Sequence, residues 1–235
     1  MTSFAQRSSK KELLDADGIP FAHIRRNMQE LDFINRHLGG HNITLDGVVN
    51  LIQAVPNFQK PLRITEIGCG GGDNLRAIQR WAKDINLHVS LTGVDLNPEC
   101  IQYATSVPGN KGIQFICADY RTAPDTTADI VFSSLFCHHF TNQELVLQLQ
   151  WMQQRSRIGF FINDLHRHPA AYYSIKALTQ LFSKSHLVKN DAPLSVRRGF
   201  VRRDWENLLS AAAIEQYSIQ WRWAFRWLIT AVSWV

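Results

Sequence analysis

Long apolar runs are missing from this sequence. No segment approaches the roughly 20 consecutive apolar residues that a bilayer-crossing helix needs, so no membrane span is expected. No basic start followed by an apolar stretch is present either, and a secretory leader is not expected. Cysteine is scarce: Cys69, Cys100, Cys117 and Cys137 stand far apart, with no C-x-x-C pair. That spacing argues against a zinc site and for reduced thiols in the cytoplasm. Internal repeats and low-complexity tracts are absent as well, which removes solenoids and tail-like segments from consideration. Charge is only mildly one-sided, +5 from 25 Lys and Arg against 20 Asp and Glu. Such a balance suits an anionic substrate or carrier and is too modest to mark a nucleic-acid partner.

What is present is a chain of 235 residues, 45% hydrophobic and 19% charged, the profile of one globular α/β domain with a helical extension. Its centre is Ile64-Thr65-Glu66-Ile67-Gly68-Cys69-Gly70-Gly71-Gly72-Asp73. A β-branched run ends in an acid, turns through glycines, and enters a segment with Leu75, Ile78, Trp81, Ala82 and Ile85 on one helical face. Strand, glycine turn and helix open a βαβ unit whose backbone N–H groups can approach a ligand closely. A second acid, Asp95, closes the next apolar run, Leu87 to Val94. A carboxylate there suits the two hydroxyl donors of a ribose. Glu66, ahead of the glycines, opposes a diphosphate but welcomes a nucleoside that carries positive charge, such as S-adenosylmethionine.

On these residues the chain resembles the class I S-adenosylmethionine-dependent methyltransferases, from about Leu62 to the end. Glu66 to Gly72 is similar to the family's first motif, and Val94-Asp95-Leu96-Asn97-Pro98 to the acidic end of its second strand. Phe115 to Tyr120 is similar to the third strand with its adenine-contacting acid, and Asp129 to Ser134 to the fourth strand. The resemblance implies that amides of Gly68, Gly70 and Gly72 meet the methionine carboxylate while Glu66 faces the ammonium. It implies Asp95 on the ribose, Asp119 on the adenine amino group, and Leu96 and Tyr120 beside the ring. Cys69, Asn74 and Ser134 complete the expected cofactor set. A dinucleotide dehydrogenase is disfavoured by Glu66.

The remaining elements follow from periodicity. Residues 1–11 are polar and expected to fray. Ile24, Met28, Leu31, Ile34 and Leu38 mark an amphipathic helix stopped by Gly39-Gly40, and a second helix runs from Thr44 to about Ala54, before Pro56. The family implies that this pair forms a lid, so residues 1–60 are assigned to an N-terminal helical extension and 61–235 to the methyltransferase domain. Arg36, His37, Gly39, Gly40 and His41 are its candidate contacts. Strands 63–67, 87–94, 113–117, 130–134 and 158–163 alternate with helices 73–83, 98–105 and 142–155. A helix from Pro169 carries Tyr172, Ile175, Leu178, Leu181 and Phe182, residues 183–201 read as an irregular loop, and a helix with Trp205, Leu208, Leu209 and Ala212 follows. Residues 214–223 and 225–233 form a closing hairpin. The expected architecture is a Rossmann-like, seven-stranded, mostly parallel sheet with helices on both faces and a C-terminal antiparallel hairpin. Trp221, Trp223, Trp227 and Trp234 should pack between helix and sheet or form a homodimer face.

Methyl transfer needs a held donor, an aligned acceptor and, for a poor nucleophile, a base. Histidines gather after the fourth strand (Cys137-His138-His139-Phe140) and the fifth (Asn163-Asp164-Leu165-His166-Arg167-His168). His139 and His166 are the candidate bases, Asp164 the carboxylate that raises their basicity, and no metal is expected. His138, Arg36, Tyr172, Arg197 and Arg198 are candidate acceptor contacts, the arginines for an acidic group or an acidic carrier protein. The Asn/Asp-Pro-Pro-aromatic run of base-methylating enzymes is replaced by Ser133-Ser134-Leu135-Phe136, and a paired-glutamate loop is missing. The resemblance therefore implies the small-molecule branch: oxygen or carbon of an aromatic, polyketide-like or quinone-like metabolite. An RNA or protein methyltransferase, or a catalytically silent cofactor-binding scaffold, are the alternatives.

Overall fold

In the computed structural model the described residues are 4–16, 18–55, 61–124 and 127–233. Pro56 and Trp234, expected to stop a helix and to pack near the hairpin, lie outside them, as do Met1 to Ser3 of the polar start. The chain runs α1 (Phe21–His37), α2 (Gly40–Gln53), β1 (Leu62–Ile67), α3 (Asp73–Asp84), β2 (Val89–Asp95) and α4 (Pro98–Ser106). It continues through β3 (Gln114–Cys117), β4 (Ala128–Ser134), α5 (Asn142–Arg155), β5 (Ser156–Leu165), α6 (Pro169–Phe182) and α7 (His186–Arg198). It ends with α8 (Arg202–Ala211), β6 (Tyr217–Arg222) and β7 (Arg226–Val232).

The seven strands form one sheet in the order β3-β2-β1-β4-β5-β7-β6. The pairs from β3 to β5 are parallel, and β7 joins β5 and β6 antiparallel. This is the Rossmann-like architecture that the alternation implies. Every residue of β4 is buried, as expected of a strand covered on both faces. The period of two sorts the core. Val131, Phe160, Ile162, Ile229 and Ala231 pack under α5 and α8 with Leu145, Leu149, Trp205 and Leu209. Ile130, Phe132, Phe161 and Leu228 face α2 and α3 with Val48, Leu51, Leu75 and Ile78.

Because β1 leads outward to β2 and β3 while β4 lies on its other side, strand order reverses between β1 and β4. Ligands bind at the carboxyl ends of strands beside such a reversal. The site is thus fixed by topology before any side chain is considered.

Two elements differ from their expectation. Gly39 stops α1 but also starts the next helix: at φ +77° it caps α2, which begins at Gly40 rather than Thr44. Residues 186–198 form α7 rather than a loop, capped by the Ser185 hydroxyl on the Val188 N–H. Pro193 and the Asn190-Asp191 pair hide its period, yet Leu187, Val188 and Val196 are buried, and tertiary packing overrides the propensity. On α6, by contrast, the far end of the apolar stripe faces solvent, with Leu181 and Phe182 each 75% exposed.

The α2 face rests on Phe161, which stacks on Phe132 with ring centroids 4.7 Å apart. Phe161→Ala should cost about 3–5 kcal/mol by urea denaturation. A Cβ at Gly47 would stand 2.5 Å from the Phe161 ring, so Gly47→Ala should cost about 1–3 kcal/mol through overpacking.

Candidate functional site

The turn after β1 is built on three left-handed residues, Gly68, Gly70 and Gly72, with φ of +67°, +49° and +71°. It leads directly into α3. Glu66, the last acid of β1, is fully buried; Asn74 donates its side-chain amide to Glu66 Oε1 at 3.2 Å, and Oε2 has no partner. Burial, reinforced by the nearby Asp73 and Asp95 carboxylates, holds the Glu66 carboxyl well above the usual range. Asp95 closes β2. Its carboxylate accepts the Gly70 N–H at 2.8 Å and the Asn97 N–H at 2.9 Å, which pins the glycine turn to the neighbouring strand. Burial raises Asp95 as well, against those two amides. At the end of β4, Ser134 Oγ is buried without a partner, and Leu135 takes the left-handed conformation at φ +53°. Such strain in a residue with a Cβ costs on the order of 1–3 kcal/mol and is characteristic of functional turns.

These strand ends line one cavity of about 1340 Å³, together with Cys69, Asn74 and Leu96. His138 and His139, from a short 3-10 turn after β4 (Cys137–His139), form a second wall. His138 Nδ1 lies 2.8 Å from Asp164 Oδ1, and His139 Nδ1 lies 3.0 Å from Asp15 Oδ1. Burial would lower the His138 pKa, but the Asp164 and Glu12 carboxylates outweigh it and raise it to about 9.

The third side is the part of the chain expected to fray. Residues 4–16 run across the cavity as a strap. Arg7 donates to the carbonyls of His138 (3.3 Å), Phe140 (2.9 Å) and Arg198 (2.8 Å). Asp191 on α7 accepts the Leu13 N–H at 2.9 Å and the Leu14 N–H at 3.0 Å, and Ser195 donates to Glu12 Oε1 at 2.7 Å. Beneath the strap, Ile24, Met28, Leu31 and Asn35 present one face of α1 to the cavity. Sequence reasoning missed Glu12, Asp15 and Arg7. Their main signal is polarity, which reads as solvation, because apart from the bonds between Glu12 and Asp15 their partners lie more than a hundred residues away.

Of the expected site residues, the cavity wall gathers Glu66, Gly68, Cys69, Gly70, Asn74, Asp95, Leu96, Ser134, His138, His139 and Arg198. Others stand elsewhere. Asp119 is held in a turn by the Arg121 guanidinium and N–H, and Tyr120 packs edge-on against Trp151; neither lines the cavity. His166 is off the wall too, accepting from Trp221 Nε1 at 3.3 Å; burial, with His168 and Arg167 nearby, lowers its pKa to about 4. Asp164 therefore serves His138 rather than His166. Arg36 pairs with Asp32 on the exposed side of α1, and His41 with Asp73, so α1 turns a different face to the cavity than the expected Gly-Gly corner. Tyr172 packs on Phe4 of the strap, and Arg197 also lies off the wall. Arg198 is buried and directs its donors to the carbonyls of Lys10, His138 and His139. It shapes the histidine turn instead of offering a free charge to an acid.

The residues present fit the donor that the resemblance implies. Glu66 Oε2 and Ser134 Oγ are buried polar atoms without partners at the cavity wall, and the Asp95 carboxylate retains lone pairs for a diol. Asp95→Ala should abolish S-adenosylhomocysteine binding in calorimetry. An ammonium beside Glu66 favours the ionised carboxylate, whereas the free protein holds the proton above the ordinary pKa. Affinity should therefore rise with pH above about 4.5, with proton release on binding, and Glu66→Gln should flatten that profile.

A family model described as a methyltransferase domain matches residues 65–149. No curated protein sequence matches the chain. Human N-acetylserotonin methyltransferase in complex with S-adenosylmethionine has a similar structure, with a TM-score of 0.65 at 17% identity, over 92% of this chain and 57% of that one. The plantazolicin methyltransferase BpumL, in complex with S-adenosylhomocysteine, gives 0.61 at 21% identity, over 83% and 72%. A methyltransferase from Aquifex aeolicus gives 0.60 at 14%, over 92% and 100%. At these identities the likeness is one of fold. Residues 65–149 thus match a methyltransferase domain model, on a Rossmann-like fold shared with methyltransferases whose structures hold S-adenosylmethionine or S-adenosylhomocysteine.

Proposed function

We propose that the protein transfers a methyl group from S-adenosylmethionine to the oxygen or carbon of a small aromatic, polyketide-like or quinone-like acceptor. The observation that carries this reading is a single cavity joining the Glu66–Asp95 end to the histidine wall. Its volume of about 1340 Å³ exceeds the roughly 300–1,000 Å³ of an ordinary one-ligand pocket. Donor and small acceptor have room side by side, while the strap and α1 cover the side that a polymer would need. Among the structurally similar proteins are some whose names carry small acceptors: N-acetylserotonin and magnesium protoporphyrin IX.

In this reading Glu66, Gly68, Gly70, Asn74 and Ser134 hold the methionine end of the donor, and Asp95 with Leu96 the ribose end. When bound, the sulfonium supplies an electrophilic methyl group for in-line displacement. The chain's own part is to align the acceptor, exclude water and activate the reacting atom. Activation falls to His138 and His139, oriented by Asp164 and Asp15. Residues 1–60 act as the lid of the unit 61–235. The reaction belongs in the cytoplasm, in keeping with four cysteines that are all free. A homodimer would cover Trp221, Trp223 and the exposed end of α6, and an acidic carrier, if one delivers the acceptor, would have to dock without Arg198.

The test is methyl transfer from labelled S-adenosylmethionine to a panel of phenols, enols and quinols, read by mass spectrometry. Turnover of at least one class is expected. Donor binding without turnover on any would point to the scaffold alternative, and salt-sensitive affinity for RNA or protein to a polymer acceptor. On a working acceptor, His138→Ala and Asp164→Ala should each lower kcat by about 10²–10⁴-fold, with S-adenosylhomocysteine affinity retained.

A further inference from the structure

The mutual geometry of Glu12, His138 and His139 goes beyond what acceptor alignment requires. Their ligand atoms all lie within 4.8 Å of one another. Both histidines are locked by carboxylates on Nδ1: Asp164 at 2.8 Å from His138 and Asp15 at 3.0 Å from His139. Each Nε2 is thereby turned toward Glu12. Yet the Nε2 atoms stop at 3.4 Å and 3.8 Å from the two Glu12 oxygens. Those separations are longer than a good N–H···O bond, which centres near 2.9–3.0 Å. The shorter one matches the spacing around an ion, since two atoms held about 2.0–2.2 Å from a tetrahedral centre stand roughly 3.3–3.6 Å apart, and the 3.8 Å one lies a little above that range.

The surroundings support the same conclusion. Ligating histidines characteristically give their second ring nitrogen to a carboxylate, and here both do. Glu12 is itself fixed by the Ser195 hydroxyl at 2.7 Å, and the backbone before and after it is held by Asp191 and Arg198. The other acid–histidine grouping, Asp32, His41 and Asp73, lacks these traits. His41 bonds Asp73 directly at 2.8 Å, and Arg76 neutralises Asp32 at 2.8 Å.

We propose that Glu12, His138 and His139 form a binding site for a first-row divalent cation, with Zn²⁺ the ion best matched to two imidazoles and one carboxylate. His138 and His139 line the cavity, as do Lys11, Leu14 and Asp15 around Glu12, so an ion held between them borders the cavity and its remaining coordination positions are left for the acceptor. The site deepens the function proposed above and rests on it only for what fills those positions, a phenolic or enolic oxygen. A bound cation draws such an oxygen to a fixed point on the wall and stabilises its deprotonated form. It also ties the strap, through Glu12, to the turn after β4.

The test uses the full-length, untagged chain stripped with EDTA. Titration with Zn²⁺ should show one equivalent bound, and Co²⁺ should give the visible absorption bands of a four- or five-coordinate site. Asp15→Asn should weaken Zn²⁺ binding by about 10–100-fold, as loss of an outer-shell partner does. Glu12→Gln and His139→Ala should weaken it further, with S-adenosylhomocysteine binding serving as the check on folding. Absence of stoichiometric Zn²⁺ binding overturns the site, as does binding that survives Glu12→Gln and His139→Ala in folded protein. The metal readout needs no acceptor. Failure to methylate small molecules would leave a positive result standing, and a negative result would leave methyl transfer untouched.

Discussion

A carboxyl group with no access to water sits at the tip of β1, and the arrangement of the site depends on how it is held. Asn74 fixes Glu66 Oε1; Thr44 donates to Asn74 Oδ1 at 2.9 Å; Asn163 donates to Thr44 Oγ1 at 3.3 Å and to the Gly40 carbonyl at 3.1 Å. This buried chain joins β1, α3, α2 and β5 through groups whose desolvation is tolerable only when each is paired. It leaves Asn163 Oδ1 unpaired in the sheet and one oxygen of Glu66 unpaired at the cavity wall. An anion in that position is costly until a cation arrives, so in the proposed function the polar core itself would select a positively charged nucleoside. The same network ties the start of α2 to the sheet, so the covering helices and the donor end of the cavity are positioned together.

At the other end of the cavity, positioning relies on cations directed at backbone carbonyls. Arg198 and Arg7 both donate to the His138 carbonyl; Arg198 also bonds the His139 carbonyl, and Arg7 that of Phe140 just after the turn. Charge-assisted bonds of this kind are stronger than neutral ones, and they brace a three-residue 3-10 turn whose Cys137 is anchored in the core. The histidine rings then have few degrees of freedom left, and Asp164 and Asp15 remove those. Floor and wall are therefore set by different means: a hydrophobic sheet with a polar inlay on one side, and arginine-braced loops on the other.

Most of the floor was legible in the sequence because it is local. Glycine spacing, strand-ending acids and the helical face from Leu75 to Ile85 are neighbours in the chain, and the parallel sheet follows from their alternation. The wall is not local. Asp164 was recognisable as a strand-end acid, but its partner is His138, because β4 and β5 run side by side with Ser134 opposite Asn163 and bring the β4 turn onto Asp164. Asp119 occupied the right strand end, yet Arg121 two residues later chelates it, a contact that depends on the turn and not on spacing. Glu12 and Asp15 show only a local i, i+3 pairing, and Arg7 carries no pattern. Residues 4–16 lack an apolar period, and their order comes from bonds to α7 and to the turn after β4.

That distinction also determines which part of the molecule gives way when a ligand enters or leaves. Separating β1 from β4 would expose Ile64, Ile130 and Phe132, all fully buried, and is tantamount to unfolding the sheet. The strap contributes little apolar surface beyond Leu14 to the small cluster of Ile24, Met28 and Cys100. It is held chiefly by hydrogen bonds worth about 0.5–1.5 kcal/mol each, somewhat more where arginine donates, and water can replace them one by one. Segments held in this way open at a fraction of the global free energy. In the proposed reading the way into the cavity is therefore under the strap. Since Glu12 travels with the strap while His138 and His139 stay with β4, each opening also separates the carboxylate from the two imidazoles. Closure of the cavity and completion of the wall are one event.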